Sequence, residues 1–194
     1  MKRSSTKAIV IHTTASNSRN TPQDIQNYFV NILFWRKGGY HIMYPQTGQR
    51  KVWYNWRDEA TNGILPNPSG TLDNTNTIHL SYIGGINNAN QNEAVCNITP
   101  SQEAQIIEDI KSILKWYPKV KILGHNQINQ KACPSFWVPD WLRAHGIAEE
   151  NITDEDPYNI KTWVKTQIPH PANFYASRQA RPEICPTCKQ LINI

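Results

Sequence analysis

Short apolar runs separated by polar segments rich in glycine, proline and asparagine set the rhythm of this chain. Lys7 to His12 is a β-branched apolar run that ends in the polar Thr13-Thr14-Ala15-Ser16-Asn17, the pattern of a buried strand feeding a loop. Thr21, Pro22 and Asp24 supply a hydroxyl cap, a proline at the first helical position and an acid in the first turn. They predict a helix over Pro22 to Phe34, with Ile25, Tyr28, Phe29 and Ile32 on one face. Gly38-Gly39 breaks the chain before Tyr40 to Tyr44, and Gln46 to Gln49 separates that run from Lys51 to Tyr54, which predicts a β-hairpin. After a loop over 61–76, Thr77 to Ile83 reads as another strand, ended by Gly84-Gly85.

Thr99-Pro100-Ser101-Gln102 is a capping-box pattern, and Ile106, Ile107, Ile110, Ile113, Leu114 and Tyr117 follow it with helical spacing. Pro118 stops that helix, Val120 to Leu123 is a short strand, and Gly124 opens a loop bearing His125. Strands alternating with helices, one pair of them a hairpin, predict an α/β domain with a central mixed β-sheet flanked by helices. The acid- and proline-flanked stretch from Glu149 to Pro157 reads as a boundary, giving a domain over 1–148 and a C-terminal extension over 149–194. The extension carries one helical segment near Ile160 to Ile168 and ends in Cys185-Pro186-Thr187-Cys188, half of a zinc-ribbon pattern or a redox pair.

Composition narrows the function classes. A chain of 194 residues, 39% hydrophobic, can bury one substantial core. Its net charge of +5 suits a polyanionic partner such as a cell wall, but no basic run or stacking motif marks nucleic-acid binding, which is not expected. No stretch approaches a membrane span, and the four apolar residues after Lys2 and Arg3 are too few for a signal-peptide core. The protein is therefore expected to be made in the cytoplasm without a signal, to engage no membrane and to be a monomer. Four cysteines do not make a disulfide framework at this length, so metal binding or reduced thiols are the default.

The chemistry concentrates in His125 and in Lys131-Ala132-Cys133-Pro134-Ser135-Phe136. Imidazole and thiol are zinc ligands, and a catalytic zinc site uses three protein ligands with a fourth position open. His12 sits at the end of one predicted strand and His125 just past the end of another, where sites of α/β sheets gather. If those strands are neighbours, His12, His125 and Cys133 converge as a His₂Cys set.

Several motifs in order carry a family resemblance: Val10-Ile11-His12-Thr13-Thr14-Ala15-Ser16, Gly39-Tyr40-His41, Arg57-Asp58-Glu59, Gly84-Gly85-Ile86, Thr99-Pro100-Ser101-Gln102, and Gly124-His125 through Phe136. Over roughly residues 7 to 145 the chain resembles the type 2 N-acetylmuramoyl-L-alanine amidases, which include phage endolysins and share their fold with animal peptidoglycan recognition proteins. The resemblance implies zinc on His12, His125 and Cys133, with Tyr40 and Lys131 in catalysis. It also implies peptidoglycan as substrate, cut between the lactyl group of N-acetylmuramic acid and L-alanine. The site of action would be the cell wall, reached after release or export, as for phage endolysins or secreted effectors.

Lys131 would stabilise the oxyanion; Tyr40 could orient or deprotonate the attacking water, or donate to the intermediate. The alternative is a non-catalytic recognition module, a branch in which the position matching Cys133 is typically no longer cysteine. Of the other candidates, His41 reads as structural or supporting, and His79, His145 and His170 as surface or packing residues. Cys96 lies in a polar loop without a metal partner, and Trp53 to Trp56 read as hairpin and core packing. Two departures stand out. Relatives often carry a histidine in an Ala-x-His-Ala-Gly-like stretch where this chain has Ala60-Thr61-Asn62-Gly63, and Ser-Ile-Gly where it has Thr77-Ile78-His79. Both are expected to alter the rim of the substrate groove.

Overall fold

A computed structural model describes residues 5–63, 71–171 and 174. Five strands, β1 (Ala8–Thr13), β2 (Ile42–Tyr44), β3 (Lys51–Val52), β4 (Thr77–Tyr82) and β5 (Lys121–Gly124), form one sheet in the order β3-β2-β4-β1-β5. β2, β4, β1 and β5 are parallel and β3 pairs antiparallel with β2 at the edge, so the sheet is mixed as the pattern predicts. All six residues of β1 and all six of β4 are buried, as expected of parallel strands covered on both faces.

Helix α1 (Pro22–Asn27) starts with the predicted Thr21–Asp24 capping box, but it passes into a π-turn over Tyr28–Ile32 instead of continuing as α-helix to Phe34. The wider turn rotates the side chains out of their 3.6-residue register. Ile25 and Phe29 stay buried, while Tyr28 and Ile32, expected on the same face, turn outward to 50% and 63% exposure. Helix α2 (Pro100–Leu114) has its Thr99–Gln102 capping box and buries Ile106, Ile107, Ile110 and Ile113 against the sheet. Its polar face is tied down as well: Gln102 Nε2 donates to the carbonyls of Tyr44 and Ile83, and the Tyr44 hydroxyl donates to Asp109.

Helix α3 (Val138–Ala144) places Trp141 in the main core, where its indole N–H donates to Glu103 at 2.7 Å. In the extension, helix α4 (Lys161–Thr166) buries Val164, which packs with Ile160 and Ile168 on Trp137. Ile152 bridges to Ile122 of β5, and Phe174 packs on Phe136. Ile152, Ile160, Val164, Ile168 and Phe174 thus pack against β5 and the segment that follows it. Cys185 and Cys188 lie outside the described residues.

Candidate metal centre and catalytic site

The sheet order makes the two key strands neighbours. β1 pairs with β5 so that Ile11 stands opposite Gly124, which sets His12 beside His125 at the C-terminal ends of both strands. The loop after β5 then returns Cys133 over the end of β1, where the Thr13 backbone N–H donates to its sulfur at 3.2 Å. His12 Nδ1 lies 3.2 Å from His125 Nδ1 and 3.8 Å from Cys133 Sγ, and the three donor atoms lie within 4.8 Å of one another. Two imidazoles and a thiol at this separation are the donor chemistry of a three-residue zinc site.

Burial shapes the electrostatics of the cluster. It holds the His12 imidazolium form well below the ordinary range, reinforced by the neighbouring charges of His125, His79 and Lys131. It lowers His125 to about 4, again with the Lys131 charge adding to the effect. Both imidazoles are therefore neutral lone-pair donors at physiological pH. Burial also pushes the Cys133 thiol up to about 12, opposed by the Thr13 N–H and by Lys131. A bound divalent cation inverts that preference, because a coordinating thiol is deprotonated.

Lys131 is exposed, yet its charge acts on His12, His125 and Cys133 alike, and it lines a cavity of about 350 Å³ with Tyr158, Ile160 and Trp163 from the extension. Tyr40 lies beside His12. Its ring centroid lies 5.2 Å from that of His12, and its hydroxyl lies 3.5 Å from the Thr13 carbonyl. Burial, with the Cys133 thiol nearby, raises the Tyr40 pKa above the ordinary phenol value, so the hydroxyl keeps its proton and acts as a donor.

Other candidates fall elsewhere. His41 is buried, donates from Nε2 to the Glu59 carbonyl at 2.9 Å and stands outside the donor cluster. His145 donates from Nδ1 to the Trp141 carbonyl and packs on that indole, and the His170 ring lies against Phe174. Cys96 stands in the irregular segment before α2, with its side chain buried in the core. Trp53 packs with Met43 and Ile83, and Trp56 packs edge-on against Tyr117.

His79, expected at the surface or in packing, is a buried residue with a polar role besides packing. It is wholly buried on β4, and its Nδ1 lies 3.1 Å from Nε2 of His12. A signal was available: an imidazole between Ile78 and Leu80, in a strand buried on both faces, must find a polar partner. Asn129, whose Oδ1 accepts from His125 Nε2 at 3.0 Å, was also missed.

No family model matches the chain. It is 28% identical over 141 residues to an endolysin of Escherichia phage T7, covering 72% of this chain and 87% of that protein. Among solved structures it resembles the Ph2119 endolysin from a Thermus scotoductus bacteriophage, with a TM-score of 0.56 at 21% identity over 79% of this chain and 90% of the other. It also resembles the N-acetylmuramoyl-L-alanine amidase LysC from Clostridium intestinale, with a TM-score of 0.52 at 21% identity over 66% and 76% of the two chains.

Proposed function

We propose that the chain, which is similar to phage endolysins and has the fold of amidases and peptidoglycan recognition proteins, is a zinc-dependent peptidoglycan hydrolase cutting the lactyl–L-alanine amide of the cell wall. The observation that carries this reading is the convergence of His12, His125 and Cys133 donor atoms within 4.8 Å, with the Lys131 charge acting on all three. Zinc, when bound, supplies a water acidified toward a pKa of about 7 and a Lewis acid for the scissile carbonyl.

The protein groups supply the rest. His12, His125 and Cys133 hold the cation; their ligand atoms are neutral imidazole nitrogen and sulfur, leaving one net negative charge from the thiolate. Lys131 stands on the exposed side, where an ammonium can meet the charge that develops on the amide oxygen in a tetrahedral intermediate. Tyr40, whose hydroxyl burial keeps protonated in the metal-free site, donates a hydrogen bond to the attacking water or to the intermediate. The wall of Tyr158, Ile160 and Trp163 beside Lys131 offers apolar and aromatic surface to the substrate.

The test is digestion of purified peptidoglycan by the native protein and by Cys133→Ser, with products identified by mass spectrometry and bound zinc assayed in both. Free stem peptides from the native protein alone are the expected result. Uncut lactyl–alanine linkages in the presence of fully zinc-loaded native protein would overturn the proposal.

A further inference from the structure

Behind the metal ligands a line of polar groups runs from His12 through β4 to the loop before it. His12 Nε2 lies 3.1 Å from His79 Nδ1, His79 Nε2 lies 2.8 Å from Thr77 Oγ1, and Thr77 Oγ1 lies 2.6 Å from the Asp73 carbonyl oxygen. His12, His79 and Thr77 are fully buried, so bulk water has no part in the line.

The direction of the hydrogen bonds follows from its far end. A carbonyl oxygen can only accept, so the Thr77 hydroxyl donates its single proton to Asp73 and must accept from His79. His79 Nε2 then carries a proton, and in the neutral ring its Nδ1 is an acceptor. The partner facing that Nδ1 is His12 Nε2, which therefore donates. A neutral His12 with its proton on Nε2 presents the bare Nδ1 toward His125 Nδ1 and Cys133 Sγ.

We infer that the Asp73–Thr77–His79 line positions His12 as a metal ligand by fixing its proton on Nε2 and its Nδ1 lone pair toward the donor cluster. His79 is thus a positioning residue, and it is itself held firmly. Its backbone N–H donates to His41 Nδ1 at 3.0 Å, while His41 Nε2 donates to the Glu59 carbonyl. The His41 ring stacks on that of His79 at 5.7 Å between centroids. Gly63 closes the other side: a Cβ there would come within 2.4 Å of His79 Cγ, so any larger residue would displace the imidazole. Groups that orient a ligating histidine typically change metal affinity by about 10- to 100-fold when removed.

This inference rests on the metal-site reading of His12, and its test separates the two. Nitrogen-15 correlation spectra of the metal-free native protein at mildly alkaline pH, where imidazoles are neutral, report the tautomer of His12 whether or not zinc binds. Chelator competition then gives the zinc affinity of the native protein, His79→Ala, His79→Asn and Thr77→Val, with thermal melts of the metal-free proteins as the folding control. The expected results are a proton on Nε2 of His12 and an affinity loss of about 10- to 100-fold in His79→Ala. Recovery is expected in His79→Asn, whose amide oxygen restores an acceptor near the lost Nδ1, and a smaller loss in Thr77→Val. A proton on His12 Nδ1 in the native protein, or zinc affinity in His79→Ala within about twofold of native, overturns the inference. A native protein that binds no zinc would sink the metal-site reading while the spectra still decide the direction of the line.

Discussion

The two histidines at the heart of the site are held in different ways. His12 belongs to an inner wall: it is fully buried on β1, an interior strand between β4 and β5, and its second nitrogen is held by His79, itself fixed through Thr77 and His41. His125 belongs to an outer wall: it opens the loop after β5, is 8% exposed, and its second nitrogen meets Asn129, only four residues further along the same loop. Lys131 and the cavity lined by Tyr158 and Trp163 lie on that outer side. Under the proposed function the contrast is a division of labour, in which buried strands would fix the cation's geometry and an exposed loop would meet the substrate and its developing charge.

Substitution of Lys131 is the strongest way to break that division. Lys131→Ala is expected to lower the rate of peptidoglycan hydrolysis by about 10² to 10³, the usual cost of one oxyanion-stabilising donor. Zinc affinity should stay level or rise, because the ammonium opposes positive charge at His12 and His125. Parallel measurement of turnover and zinc affinity checks this. Loss of zinc with Lys131 would mean that the outer wall also builds the cation site.

Acid should act on both walls of the metal-free protein in the same direction. Burial lowers the His125 pKa from the ordinary imidazole value of about 6.5 to about 4 in the folded state, and that of His12 is lowered too. Between those values the unfolded chain binds more protons than the folded one, so stability is full above about pH 6.5 and is lost as the pH falls toward 4. His125 alone contributes a loss of ~3 kcal/mol over that window. Urea titrations of native protein and His125→Gln at neutral pH and near pH 4.5 check it. A native protein whose metal-free stability does not change between these conditions would contradict neutral burial of both rings.

Much of the site was legible because its elements announce themselves locally. The β-branched run before His12, the glycine before His125 and the capping box at Thr99 each carry their own signal. The strand pairing that joins His12 to His125 was only conditional in the sequence, since register between distant strands is set by tertiary packing. His79 escaped for the same reason: its role depends on β4 lying beside β1, with Val10 opposite His79. Read along the chain, the departures at Ala60-Thr61-Asn62-Gly63 and at Thr77-Ile78-His79 looked like two changes to a substrate rim. In space they meet, with the His79 imidazole seated against Gly63 on the buried side of His12. The outward turn of Tyr28 and Ile32 escaped because a 3.6-residue period cannot anticipate a π-turn.

The smallest expected effect sharpens the comparison most directly, because it changes the same kind of bond on the opposite wall. Asn129→Ala removes the acceptor of the His125 Nε2 proton, as His79→Ala removes that of His12. Asn129 is half-buried, so water can enter and accept in its place. No such replacement is at hand inside the sheet, where an unmet imidazole proton carries its full desolvation cost. Asn129→Ala should therefore weaken zinc by no more than about 10-fold, the low end of the range for groups that orient a ligand, and by less than His79→Ala. The two variants act on different ligands through separate partners, so their effects on zinc affinity should add in the double variant. Chelator competition on the four proteins measures this, and a larger loss from Asn129→Ala than from His79→Ala would reverse the assignment of inner and outer walls.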